Sequence, residues 1–122
     1  MLFRSSELRS LIDKETAVFD KNNLDEYFAV NDALHMKIAE FSDNHVLYSY
    51  IHELLDRTRI FLILYDPFYK IEYCPTKEHA MIADAIAARD LDRACAEVQE
   101  HIDSAINGLE SAGRLPDDYL AI

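Results

Sequence analysis

The chain has 122 residues, half of them hydrophobic, with two glycines, three prolines, two cysteines and a formal net charge of −11. That length suits one domain with a real core, and so few glycines and prolines argue against a many-turned β fold. The acidic balance repels a phosphate backbone and no basic cluster offsets it, so direct nucleic-acid binding by this chain is not expected.

The first predicted helix covers residues 6–19, where Leu8, Leu11, Ile12, Glu15, Val18 and Phe19 fall near helical spacing. Asn22 and Asn23 form a turn, and Asn23 is the expected N-cap of a second helix over 24–41, with Asp25 and Glu26 in its first turn. Ser42, Asp43 and Asn44 break and recap the chain before a third, longest helix over 45–65. Asp66 and Pro67 must end it, because the proline ring disfavours helix at the preceding residue. An aromatic loop with Phe68, Tyr69 and Tyr73 leads to Pro75, and Thr76 is expected to cap a fourth helix running to Ala88. Asp90 or Asp92 starts the fifth, which should end near Gly113, leaving 113–122 as a loose tail. The expected fold is all-α, an antiparallel helical bundle of about five helices.

The first residues lack an apolar run of signal-peptide length, and the longest apolar run, 60–65, is too short for a bilayer. Cys74 and Cys95 are not in a C-x-x-C pair and suit reduced intracellular thiols, so a cytoplasmic protein without membrane contact is expected.

Asn31, His35, His79 and His101 carry the functional signal. Asn31 and His35 are i,i+4 and fall within the apolar arc of Leu24, Phe28, Leu34 and Ile38. His79 shares a face with Ile82, Ala83 and Ile86, while His101 borders the stripe of Ala94, Val98, Ile102 and Ala105. Both histidines are eleven residues from Asp90 (90 − 79 and 101 − 90), so a hairpin turning there sets them at one height, about 16 Å from the turn. Two imidazoles reaching across helices about 8–10 Å apart can share one ion, with Asn31 and His35 completing the site. The competing reading is that these are hydrogen-bonded core histidines with no metal. His45, by a cap, and His52, beside Ile51, are weaker candidates.

Three imidazoles with one oxygen donor suit a divalent transition metal, zinc foremost, with nickel, manganese or iron as alternatives; calcium and magnesium prefer oxygen ligands. Open coordination positions on such an ion favour an anion such as a carboxylate. Arg57 and Arg59 interrupt the apolar third helix two residues apart, so only one can point inward, where it could clamp a carboxylate.

The run Asn31-Asp32-Ala33-Leu34-His35, continuing through Ile38-Ala39-Glu40 to Asn44, resembles one signature of the FCD ligand-binding domain, the C-terminal effector domain of GntR-family transcription regulators. Glu78-His79-Ala80-Met81-Ile82, with Ala85-Ile86, Arg89-Asp90, Ala94 and His101-Ile102, resembles the other. The resemblance assigns residues 1–112 to an FCD-like effector domain lacking its first helix. It implies a central metal site, with Asn31, His35, His79 and His101 as ligands and a small carboxylate effector. Arg57 or Arg59 falls where the family places basic residues lining the effector pocket. Many members have Asp where this chain has Asn31, a change expected to weaken metal binding, and Arg89 stands where glycine is common. The resemblance also implies a homodimer whose DNA contacts belong to a winged-helix domain not visible here, the chain being a fragment or truncated product.

Three functions compete. The favoured one is a non-enzymatic, metal-dependent carboxylate sensor that controls a DNA-binding domain. The others are a metal-dependent hydrolase or lyase using the three-histidine site, and a metal-free helical interaction module.

Overall fold

The computed structural model describes residues 5–20, 23–65 and 75–111. The described residues form five helices, α1 (Ser5–Asp20), α2 (Leu24–Phe41), α3 (His45–Tyr65), α4 (Thr76–Ala87) and α5 (Leu91–Ser111), and no strands. The all-α expectation holds. The aromatic loop before Pro75, Cys74, Gly113 and the tail lie outside the described residues.

Helix α1 is central. It packs against α2 on one side and α4 on the other, while α3 lies on α2 and α5 on α4. Leu8 and Ile12 of α1, Leu34 of α2 and Ala83 of α4 form the buried cluster, with Leu11, Ile38, Phe41, Ala80 and Ile86 packed around it. Leu8 and Leu34 are essentially inaccessible. Burying a side chain of that size contributes about 1.5–3 kcal/mol.

Local chemistry explains the helix ends. Asn23 caps α2, its side chain accepting from the Glu26 amide, and Asn44 caps α3 by accepting from the Leu47 amide. Thr76 is not the cap of α4. Pro75 holds that position at φ −73° and ψ −3°, its carbonyl accepting from the His79 amide, so Thr76 is already the first helical residue.

At the other end of α4 the amides of Arg89 and Asp90 donate back to the carbonyls of Ile86 and Ala85, both at 3.0 Å. Arg89 carries φ 55°, the left-handed conformation that this type of helix end requires. Asp90 then accepts from the Arg93 amide and caps α5, with Asp92 in the first turn. A tight two-sided turn thus sets α4 and α5 antiparallel.

The outer helices differ from the sequence expectation. Val46, Tyr50, Leu54 and Ile60 of α3 are exposed, because α3 has α2 as its neighbour among the described helices. On α5, the apolar positions Val98, Ile102 and Ala105 are exposed, and the more covered line is Ala94, Glu97, His101 and Ser104. The α4–α5 turn rotates His101 toward α4, so it lies on the covered face rather than at its border.

Candidate metal centre

Helices α2, α4 and α5 each contribute one histidine to a single point. His35, His79 and His101 each offer a ring nitrogen, and these atoms all lie within 4.8 Å of one another. The Nε2 atoms of His79 and His101 are 3.1 Å apart. His35 stacks nearly parallel to His101, with centroids 5.7 Å apart, and His79 stands edge-on to both.

Two carboxylates hold the rings from behind. Nδ1–H of His79 donates to both oxygens of Glu15, at 2.8 and 3.0 Å, and Nδ1–H of His101 donates to Glu78 Oε1 at 3.0 Å. An ionised carboxylate only accepts, so these bonds place a proton on each Nδ1, and in the neutral form of each ring Nε2 keeps a free lone pair. Two such lone pairs 3.1 Å apart repel unless a metal ion or a shared proton lies between them. Nitrogens about 2.1 Å from one ion, at angles of about 90–109°, are separated by about 3.0–3.4 Å. The observed spacing fits a shared metal.

His35 supplies the third ring of the cluster. Burial, followed by the fields of His79 and His101, pushes its pKa down to about 3, so the ring is neutral at ordinary pH. Neutral imidazole is the ligating form. The donor set of three imidazoles therefore fits a borderline divalent ion and suits neither calcium nor magnesium.

The remaining candidates occupy different surroundings. Asn31 is half-buried one turn before His35, with its Nδ2 donating to Asp32 Oδ1 at 3.5 Å. Arg59 points inward from α3, paired with Asp32 and donating to the Phe28 carbonyl at 3.3 Å. Its Nε is buried and has no hydrogen-bond partner among the described residues. Burial raises the Asp32 carboxyl above its ordinary range, and the Arg59 guanidinium pulls it the other way. Arg57 lies on the opposite face, exposed and paired with Glu53 at 2.7 Å. His45 is exposed, and His52 is an exposed partner of Asp56.

Glu15 is the residue that sequence reasoning left out of the site. It is fully buried, with 0% exposure, in the stripe of Leu8 and Ile12. The available signal was a carboxylate three residues after Ile12 on an otherwise apolar face, a position that demands a cationic or hydrogen-bonding partner.

Among the described residues, no helix is long and apolar enough to cross a membrane. No curated protein and no solved structure matches the chain. A family model does: the FCD domain, over residues 5–104. With most of its length matched, and with three histidines converging from α2, α4 and α5, the chain belongs to the FCD family, the C-terminal domain of GntR-family regulators.

Proposed function

We propose that this FCD domain is a metal-dependent sensor of a small carboxylate, with His35, His79 and His101 holding the ion and Asn31 as a fourth, weaker oxygen donor. FCD domains are regulatory ligand-binding domains, which supports sensing as the role. The observation that carries the metal is the 3.1 Å approach of two Nε2 atoms whose Nδ1 atoms are already committed to carboxylates. Zinc is the first choice of ion, followed by nickel, manganese and iron. Bound there, the ion supplies Lewis acidity and an attachment point for an anionic effector.

Arg59 is the residue we assign to the effector carboxylate. Its buried Nε is an unused donor, and its partner Asp32 lies on the same turn of α2 as Asn31 and His35. Arg57, exposed and paired with Glu53, is the lesser candidate. Sensing is favoured over hydrolysis because Glu15 and Glu78 sit behind the imidazoles and Asp32 is held by Arg59, so none of these carboxylates is placed to activate a water. In a homodimeric regulator, effector binding would shift the helix arrangement and with it the presentation of winged-helix domains that contact DNA, while this acidic domain stays off it.

A thermal-shift screen of small carboxylates on zinc-loaded protein tests this reading. We expect at least one carboxylate to raise the melting temperature of the wild type and not that of His79→Ala. Equal shifts in both proteins, or turnover of the bound compound, would overturn it.

A further inference from the structure

We propose that Glu15 is a positioning residue for the metal centre, supplying through His79 the negative charge that the ligands themselves lack. The inference rests on the metal reading above and extends it to a residue on a helix that contributes no ligand.

Three neutral imidazoles and the Asn31 amide leave a divalent ion's full charge uncompensated. A carboxylate with 0% exposure in an apolar stripe has the complementary difficulty, because a buried anion without a countercharge is strongly disfavoured. The structure joins the two. Glu15 reaches the ion's position through one imidazole, with both oxygens on His79 Nδ1 at 2.8 and 3.0 Å. That contact fixes the ring's orientation and tautomer, aims Nε2 inward and makes the imidazole more basic as a ligand. Glu78 does the same for His101 through a single oxygen at 3.0 Å, from a half-buried position. One dication and two carboxylates sum to zero, so the centre is neutral without an acidic ligand at position 31.

The same geometry sets the order of the two effects. Glu15 holds His79 with both oxygens and no solvent access, whereas Glu78 is partly hydrated, so Glu15 dominates. Helix α1 thereby becomes coupled to the metal although it contributes no ligand.

The test is zinc affinity by chelator competition, with the cobalt-substituted absorption spectrum as a second readout, on wild type, Glu15→Gln, Glu78→Gln and Glu15→Gln combined with Asn31→Asp. Glu15→Gln should weaken zinc by about 10–100-fold, perturb the cobalt spectrum and leave metal-free melting no lower than wild type. The double variant should recover much of the loss, because the charge returns at a ligand position. Glu78→Gln should give a smaller loss, and if Glu15→Gln does not fold, Glu15→Asp takes its place: the shorter side chain withdraws the carboxylate from His79 Nδ1, and unchanged zinc affinity there overturns the proposal. Unchanged affinity in a folded Glu15→Gln, or a lower metal-free melting temperature with zinc affinity intact, likewise overturns it and leaves the metal reading standing. A wild type that binds no zinc or cobalt brings down both.

Discussion

The Nε2 atoms of His79 and His101 lie 3.1 Å apart although the residues are separated by 22 positions. The turn between α4 and α5 makes this possible. Arg89 in the left-handed conformation closes α4, and Asp90 caps α5 immediately afterwards, so both histidines stand at the same height on facing helices. The carboxylates behind them orient both rings, because each Nδ1 is occupied and each Nε2 is left to face the other.

Arg89 adopts φ 55°, where a side chain crowds the backbone and glycine does not. Arg89→Gly should therefore stabilise the fold by about 0.5–1 kcal/mol in denaturant unfolding, with zinc affinity unchanged. A destabilised protein would show that the arginine side chain makes a contribution larger than its backbone cost.

Leu34 is 1% exposed and sits in the cluster that joins α1, α2 and α4. Leu34→Ala should cost about 2–5 kcal/mol, read as a lower denaturation midpoint. Truncating the exposed Leu54 on α3 should cost far less. Equal losses at the two positions would mean that α3 is covered in solution.

The His35 ring stays neutral when folded down to about pH 3, whereas an unfolded histidine titrates near 6.5. Between those values the unfolded chain holds the extra proton. Stability from this group is thus complete above about pH 6.5 and falls as pH drops toward 3, by at most about 1.4 kcal/mol per unit. Urea unfolding of metal-free protein at about pH 7.5 and about pH 5 should show a larger loss for wild type than for His35→Asn. Equal losses would mean that His35 is not kept neutral by its surroundings.

Arg59 and Arg57 separate two roles on one helix. Arg59→Ala should abolish carboxylate-induced thermal shifts of the zinc-loaded domain, and Arg57→Ala should leave them within error, because exposed pairs such as Arg57–Glu53 contribute little. The reverse pattern would move the effector to the outer face of α3.

Much of this arrangement is legible in the residues. Asn23, Asn44 and Asp90 mark the starts of α2, α3 and α5 because short polar side chains cap helices by a local hydrogen bond that needs no tertiary context. The equal spacing of His79 and His101 about Asp90 similarly encodes their meeting. Helix orientation is less local. The apolar line of Val98 and Ile102 suggests one buried face for α5, but the turn at Arg89 presents the face of Ala94, Glu97 and His101 instead. Glu15 escapes for a related reason: one carboxylate in an apolar stripe acquires its meaning only from His79, far along the chain on α4. The matching residues of the FCD signatures carried the site further than periodicity could, since they tie α2, α4 and α5 to one centre.

The most direct measurement is elemental analysis of protein purified without a histidine tag, paired with zinc titration of the metal-free form. The metal-centre reading predicts about one divalent transition-metal ion per chain, a rise in melting temperature with zinc, and loss of both in His79→Ala. Protein with no stoichiometric metal and no thermal response to zinc or nickel would contradict it.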